Sequence, residues 1–300
     1  MLSYIHSYHA GNHADILKHL TLSLILESLC KKEKPFTVFD THSGSGIYDL
    51  DDPRLLRTGE AEGGIEKLMA ALDISSESSC GGKKTKYNNL LENGKRYLEI
   101  VKKYHDEEKY PGSPFIENEF LRDGDEQILS ELHPTAFDEL GFCFSSRRKL
   151  LKAVPKLHRR DGYEMLKALT PPKIRRGLAV IDPSFEDASD YQKCAKTICD
   201  VHKKWPNGII ALWYPILTRK TFELSSMKEK IYSEIQNPDE EQKIFDIQLE
   251  VKNPAAAEGL SSMYGSGMLI VNFPYELDKK MNLILPELRE ILKEKEAATL

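Results

Sequence analysis

Short apolar runs alternate along the chain with longer segments in which apolar residues recur at helical spacing. The runs are rich in β-branched and aromatic residues, a composition typical of strands buried in a parallel sheet. They predict strands at residues 36–40, 127–131, 156–160, 178–182, 208–214, 244–251 and 268–273. Because helical segments fill the spaces between them, the pattern predicts an α/β fold with a mostly parallel sheet covered on both faces.

Two local signals refine this prediction. Asn12 is a good N-cap, and the residues after it predict a helix to Cys30 with apolar side chains recurring on one face. Near the other end of the chain, Gly265 to Gly267 separates the last two predicted strands and indicates a tight connection. Such a connection predicts one antiparallel strand in the sheet.

Residues 47–105 differ in composition from the rest of the chain. They are polar and helix-favouring, and they are interrupted by Ser75 to Gly82, a composition typical of a flexible surface loop. This composition predicts a helical insertion at residues 47–105, with the main domain formed by residues 1–46 and 106–300.

The composition narrows the class of protein. With 300 residues and 40% hydrophobic residues, the chain can bury a full core. The longest apolar run, Leu20 to Leu29, is too short for a bilayer, and the first residues lack the pattern of a secretory signal, so we expect a cytoplasmic protein. The cysteines lack zinc-type spacing. His9 and His13 lie four residues apart, but no third ligand is evident, which favours a capping or cofactor-contact role and no metal site.

Charge is unevenly distributed along the chain. The net charge is -5, yet residues 147–176 hold eleven Lys or Arg against Asp161 and Glu164 alone, a local charge of +9. Screening confines each charge to its surroundings, so this stretch can neutralise phosphates although the whole protein is acidic. The alternative is a solvated surface without a partner, and the charge pattern alone does not separate the two.

Four carboxylates follow predicted strands. Asp40, Glu131, Asp161 and Asp182 each lie at the carboxyl end of a strand, where ligands bind in open α/β sheets. Any one of them can be a helix cap, above all Asp161, which precedes Gly162. Together they predict an acidic ring around one site.

The turn after the first strand, Gly44 to Gly46, lets backbone approach a ligand closely. It lacks the third glycine of the dinucleotide pattern, because Asp49 stands there and would repel a pyrophosphate. S-adenosylmethionine, which has an amino acid in place of the pyrophosphate, fits better. Glu131 suits ribose hydroxyls, and Asp161 can accept from an adenine amino group.

The segment from Asp182 to Phe185 combines an acid, a proline and an aromatic ring directly after an apolar strand. Such residues can hold and stack a flat base that carries an amino group. The Asp182 carboxylate and the Pro183 carbonyl can each accept one amine hydrogen, and Phe185 can stack on the base. This arrangement predicts attack by an aromatic amine, a poor nucleophile that needs accurate positioning.

Motifs spread along nearly the whole chain resemble one known family. They are Met1 to Tyr4, His9 to Asp15, Leu17 to His19, Asp40 to His42, Tyr110 to Pro114, Glu131 to Pro134 and Ala211 to Pro215. The chain is similar to the bacterial 23S ribosomal RNA adenine-N6 methyltransferases of the RlmJ family. The resemblance implies a class I methyltransferase fold with a helical insert, which is expected to bind RNA.

The resemblance also implies roles for individual residues. It implies that S-adenosylmethionine is held by His19, His42, Ser113, Glu131, Asp161, Gly162 and Asp182. It makes Asp182 the catalytic acid or proton acceptor, with Pro183 and Phe185 in the same motif, and it places Tyr4 against the RNA. One departure is Ser184, which stands where the family has a second proline. We expect activity to be retained with this looser backbone.

The substrate expected from the resemblance is an adenine of 23S ribosomal RNA, protein-free or in an early assembly intermediate, and the enzyme is expected to be a monomer. Two alternatives stay open. A DNA adenine methyltransferase would share the chemistry and differ in its contacts to the 2'-hydroxyl. A non-catalytic nucleic-acid-binding protein, with Ser184 as a sign of decay, would bind RNA without transferring methyl groups.

Overall fold

A seven-stranded sheet forms the centre of the computed structural model, which describes residues 9–77, 86–253 and 263–294. The strands, in chain order, are β1 (Thr37–Asp40), β2 (Ile47–Asp49), β3 (Lys109–Pro111), β4 (Glu126–Ser130), β5 (Lys156–His158), β6 (Gly177–Ile181), β7 (Ile209–Leu217), β8 (Ile244–Glu250) and β9 (Met263–Val271). The main sheet has the order β5-β4-β1-β6-β7-β9-β8, and β2 pairs with β3 separately. The α/β prediction and its seven strands are confirmed.

Within this sheet, β9 runs antiparallel to both of its neighbours, and the other pairings are parallel. The predicted antiparallel strand is thus confirmed, but the predicted connection was wrong because Gly265 to Gly267 lies inside β9. A Cβ at Gly267 would lie 2.2 Å from the ring of Tyr214 on β7. Glycine is needed there for close packing of neighbouring side chains, which explains the misread signal.

Helices cover both faces of the sheet. They are α1 (His13–Cys30), α2 (Pro53–Thr58), α3 (Lys67–Glu77), α4 (Asn88–Asn93), α5 (Lys95–His105), α6 (Ser113–Phe120), α7 (Pro134–Ser146), α8 (Gly162–Leu169), α9 (Ser189–Lys204), α10 (Thr221–Ile235) and α11 (Leu277–Leu292). Alternate residues of one strand enter opposite layers: Val38 belongs to the core cluster that includes residues of α1, α5, α6 and α11, whereas Phe39 belongs to the cluster that includes residues of α8, α9 and α10. This alternation follows from the period of two along a strand.

The first helix, α1, is buried along most of its length. Asn12 caps it by accepting hydrogen bonds from the amides of Ala14 and Asp15, as predicted. The prediction of one apolar face was too narrow, because α1 is buried on nearly all sides between the sheet and α6, α5 and α11. Polar side chains, including Lys18 and His19, are buried along with the apolar ones.

The predicted insertion is closed at its base by the pair β2 and β3, so its first residues form a strand and not a helix. Helices α2 to α5 follow, and their apolar side chains join the core layer that contains α1. Helix α3 extends to Glu77, so the first three residues of the predicted loop are helical, and the rest of that loop lies outside the described residues. The division into domains stays a prediction.

Chain order reverses beside β1, which has β4 on one side and β6 on the other. Crevices at such a reversal, outside the carboxyl ends of the strands, are where open α/β sheets bind ligands. In the described ranges, no helix is both long and apolar enough to cross a membrane.

Candidate active site

A large cleft opens at the carboxyl edge of the sheet, with a volume of about 1320 Å³. Nine of the predicted site residues line it: His19, His42, Ser113, Glu131, Asp161, Gly162, Asp182, Pro183 and Phe185. Tyr4 lies outside the described residues. The sheet therefore brings together side chains that are far apart in the sequence, while their individual roles stay predictions.

The glycine turn and Glu131 form one wall of the cleft. Gly44 has a φ of 58° and Gly46 a φ of 86°, a region that favours glycine. The Gly44 amide donates to Glu131 Oε2 at 2.8 Å, and the His133 amide donates to Oε1 at 2.7 Å. These two amides hold the carboxylate in one orientation, and its remaining lone pairs are available to a ligand.

Asp40 differs from the other three carboxylates. Its side chain is fully buried beneath the cleft and does not line it, so the predicted four-membered ring was wrong at this position. Its Oδ2 accepts from the Ser113 hydroxyl at 2.6 Å, and its Oδ1 accepts from the His42 amide at 3.1 Å. Burial raises the pKa of Asp40 to about 6, and the Ser113 hydrogen bond opposes this rise.

Asp161 and Gly162 lie where α8 begins. Asp161 caps the helix by accepting from the Glu164 amide at 2.9 Å, so the capping alternative is confirmed although the residue also lines the cleft. A Cβ at Gly162 would lie 2.0 Å from the carbonyl oxygen of Thr41. Glycine is therefore required to bring the start of α8 against the end of β1.

Two histidines line the cleft, His19 from α1 and His42 from the turn after β1. His19 Nδ1 lies 2.8 Å from the Tyr110 hydroxyl, and His42 Nδ1 lies 2.7 Å from the Thr41 hydroxyl. Burial lowers the pKa of His42, so the ring is neutral at physiological pH. The ring of His42 also packs edge-on against Tyr163 at 5.1 Å between centroids.

A buried ion pair that the sequence analysis missed holds Asp182. Lys18 on α1 donates from Nζ to Asp182 Oδ2 at 2.6 Å and lies 2.8 Å from Asp15 Oδ1, with only 5% of its side chain exposed. Burial alone would lower the pKa of Lys18, but the two carboxylates raise it above its ordinary value. The lysine is therefore a permanent cation at the site. The available signal was a charged pair, Asp15 and Lys18, at i and i+3 in a helix rich in apolar residues.

The loop after β6 is held by a second lysine. Lys220 Nζ donates to the carbonyls of Phe185 and Glu186 at 2.8 and 3.0 Å. Phe185 has a φ of 53°, which is uncommon for an aromatic residue and is a strained conformation of a kind found at active sites. Its ring is 2% exposed and packs against Tyr191 and Trp213. Stacking of Phe185 on a base stays a prediction, and it requires the ring to move.

The basic stretch 147–176 provides none of the cations that line the cleft. Two of its cations form surface ion pairs, Arg147 with Glu107 and Lys156 with Glu126, and Arg176 donates to backbone carbonyls. The cleft cations come from other elements: Lys18, Arg54, Lys193, Arg219, Lys220 and Lys252. Contact between the basic stretch and RNA stays a prediction.

The two histidines considered for a metal site, His9 and His13, differ in their surroundings. His9 Nδ1 lies 2.8 Å from Glu60 Oε1, and the pKa of His9 is raised mainly by this hydrogen bond. Burial lowers the pKa of His13 to about 4. Over the part of the chain that the structure describes, no three His, Cys, Asp or Glu side chains are grouped to hold a metal ion.

Comparison with known proteins gives consistent matches. A family model described as ribosomal RNA large subunit methyltransferase D, RlmJ, matches residues 33–299. The ribosomal RNA large subunit methyltransferase J of Escherichia coli is 38% identical over 97% of this chain and 94% of its own length, and that of Haemophilus influenzae is 36% identical over the same shares. A crystal structure of a Legionella pneumophila protein covers 95% of this chain and 94% of its own, with 32% identity and a TM-score of 0.77.

Proposed function

Because the chain belongs to the RlmJ family of ribosomal RNA large subunit methyltransferases, we propose that it transfers a methyl group from S-adenosylmethionine to N6 of an adenine in 23S ribosomal RNA. The single observation that carries this proposal is the position of Asp182 and Pro183. They follow β6 at the carboxyl edge of the sheet, in the same cleft as the glycine turn and Glu131. Groups that can accept hydrogens from the target amine therefore lie in the same cavity as the proposed cofactor site.

The donor set of the cleft fits S-adenosylmethionine. The Glu131 carboxylate is oriented by two backbone amides and keeps free lone pairs, as a ribose acceptor must. We assign the cofactor to His19, His42, Ser113, Glu131, Asp161 and Gly162 on one side of the cleft. Of these, Ser113 donates its hydroxyl hydrogen to Asp40, so only its oxygen can accept from a ligand. When bound, the cofactor supplies an electrophilic methyl group.

Asp182 and Pro183 then act on the target amine. Lys18 occupies Asp182 Oδ2, which leaves Oδ1 to accept one hydrogen of N6, and the Pro183 carbonyl accepts the other. These two hydrogen bonds fix the amine with its lone pair toward the methyl donor, and such positioning is the main catalytic requirement for a weak nucleophile. Methylation removes one proton from N6, and we assign Asp182 as its first acceptor.

Lys18 acts as a positioning residue for Asp182. A carboxylate in a cleft of this kind is costly to keep ionised without a counterion, and a buried cation at 2.6 Å supplies one. Asp15 accepts a hydrogen bond from the Gly11 amide at 2.9 Å and also pairs with the Lys18 ammonium. The ammonium is therefore held between two carboxylates, Asp15 and Asp182. The pair therefore fixes both the charge and the orientation of Asp182.

Methyl transfer from labelled cofactor to protein-free 23S RNA tests this function. We expect label on RNA, recovered as N6-methyladenine, and loss of transfer in Asp182→Asn. Asp200→Asn, on the exposed side of α9, is the matched control and should keep full activity. Label on DNA alone would replace this proposal with the DNA methyltransferase alternative, and RNA binding without transfer would favour the non-catalytic one.

Mass spectrometry of 23S fragments from cells with and without the protein identifies the adenine. We propose that the substrate is protein-free RNA or an early assembly intermediate and that the enzyme acts as a monomer. A comparison of methylation of naked 23S RNA and of assembled large subunits tests the first point, and sedimentation of the enzyme tests the second. Better methylation of assembled subunits, or a stable dimer, would contradict these statements.

A further inference from the structure

One wall of the cleft rises well above the catalytic loop. Strand β6 pairs with β7 only as far as Ile181 and Leu212, yet β7 continues to Leu217 alongside β9. The extension carries Trp213, Pro215 and Leu217 along the cleft. The residues that follow β7 therefore lie at the rim of the cleft, over the loop that begins at Asp182.

The rim is joined to the catalytic loop at Lys220. This residue has a φ of 65° and donates to the carbonyls of Phe185 and Glu186. The two hydrogen bonds fix the turn between β7 and α10 relative to Asp182, so groups on this turn keep a constant position with respect to the target amine.

Arg219, on the same turn, is an exposed cation that lines the cleft. Four other cleft cations have acidic partners: Lys18 pairs with Asp182, Arg54 with Asp52, Lys193 with Asp190 and Lys252 with Glu294. Among the described residues, Arg219 has no such ion pair. An unneutralised guanidinium at the mouth of the cleft is suited to a phosphate group.

Phe222 lies two residues after Lys220, the N-cap of α10, and is 81% exposed. The helix buries Met227, Ile231 and Ile235, so the ring of Phe222 does not contribute to the packed face of α10. A single exposed aromatic side chain needs no explanation by itself. Here, however, the ring is three residues from an unpaired arginine at the entrance of a cleft that accepts a base.

We propose that Arg219 and Phe222 bind the nucleotide next to the target adenine. Phe222 stacks on the base of that neighbour, and Arg219 binds its phosphate. The inference rests on the proposed function, since a strand that gives one base to the cleft leaves the adjacent base unstacked at the rim. Aromatic rings combined with a cationic groove are the usual means of binding single-stranded nucleic acid.

Steady-state kinetics with a short RNA that contains the target adenine test this inference. Phe222→Ala should raise the KM for RNA at least about fivefold, the loss expected for one base stacked on an aromatic ring, with kcat little changed. Phe222→Trp should restore it, because the larger ring also stacks. Arg219→Ala should lower the slope of log affinity against log salt by about 0.7, the value for one phosphate contact on a single strand.

Two controls lie at the opposite edge of the sheet. Tyr275 is a 78% exposed aromatic residue after β9, and Lys34 is an exposed lysine before β1. Tyr275→Ala and Lys34→Ala should change neither KM nor the salt slope, and the affinity for S-adenosylmethionine should be equal in all variants. An unchanged KM in Phe222→Ala, or equal losses in the controls, would overturn the inference.

The outcomes separate this inference from the function on which it rests. RNA affinity is measured directly by fluorescence anisotropy in parallel with methyl transfer. If the wild-type protein binds RNA but transfers no methyl group, the proposed function is wrong, and the affinities of the Arg219 and Phe222 variants still decide whether the rim binds RNA. If the wild type is active and these variants bind RNA normally, the inference alone is wrong.

Discussion

Replacement of Lys18 by methionine removes the cation of the buried ion pair and keeps most of the length of the side chain. Lys18 Nζ lies 2.6 Å from Asp182 and 2.8 Å from Asp15. At an effective dielectric constant of about 20, each contact is worth about 6 kcal/mol before the cost of desolvation. Measured losses are smaller, and removing one partner of a buried pair costs about 3 to 5 kcal/mol of stability.

The same change should alter catalysis in a specific way. Without its counterion, the Asp182 carboxylate is no longer held at Oδ2, so it is not positioned to accept the N6 hydrogen. We therefore expect a strong loss of kcat with little change in the KM for RNA. Steady-state methyl transfer to RNA measures both values.

A double-mutant cycle separates the loss of charge pairing from simple misfolding. Lys18→Met combined with Asp182→Asn removes both charges and should be more stable than Lys18→Met alone, because no uncompensated carboxylate remains at position 182. Binding of S-adenosylmethionine by calorimetry shows whether the cleft is still formed. A Lys18→Met enzyme with normal kcat would refute the role given to Lys18.

Three further changes test single contacts of the site. Gly162→Ala should destabilise the fold by about 1 to 3 kcal/mol in thermal melting and weaken cofactor binding in calorimetry, because its Cβ would lie 2.0 Å from the Thr41 carbonyl oxygen. The control Gly141→Ala, whose Cβ would have its nearest neighbour at 4.0 Å, should be neutral or stabilising in the same two assays. Ser184→Pro should be at least as active as the parent, since no described backbone hydrogen bond comes from the Ser184 amide, and a slower variant contradicts this. The stability of Asp40→Asn relative to the wild type, measured by denaturant unfolding, should rise by up to about 3 kcal/mol as the pH increases from 3.8 to about 6. The same stability difference between the two proteins at pH 4 and at pH 7 argues against a raised pKa of Asp40.

The sign of the last effect follows from proton binding. The pKa of Asp40 is higher in the folded protein than in the unfolded chain, so the folded state holds more protons between these two values. Stability of the wild type therefore falls through this window, and above it the loss due to Asp40 is complete and no longer changes with pH. Asparagine does not titrate, and so the variant lacks this loss.

The sheet could be predicted from sequence because its central strands are buried on both faces. Strands β1 and β6 are buried along their whole length, and their inner residues, Val38 and Phe39 in β1 and Leu178 to Ile181 in β6, are apolar. Glycines are less informative, since they permit a turn at Gly44 and close side-chain packing at Gly267. Sequence alone does not distinguish these two uses, which is why the connection before the last strand was misread.

The candidate site was predicted in position but not in its internal contacts. The ends of parallel strands specify which residues meet at one edge, and that rule located Glu131, Asp161 and Asp182. It does not specify which carboxylate turns inward, and Asp40 does so because Ser113 and the His42 amide satisfy it there. The pairing of Lys18 with Asp182 spans 164 residues, and no local pattern encodes it.

The burial of α1 links the two halves of the site. Lys18 and His19 are adjacent on this helix, and Lys18 holds the proposed catalytic carboxylate while His19 lines the proposed cofactor region. Neighbouring residues on a rigid helix keep a fixed separation, and packing on nearly all sides prevents α1 from shifting. Leu22→Ala, which removes a buried side chain of α1 and leaves a cavity, should therefore weaken cofactor binding and slow methyl transfer together, although Leu22 is not among the residues that line the cleft.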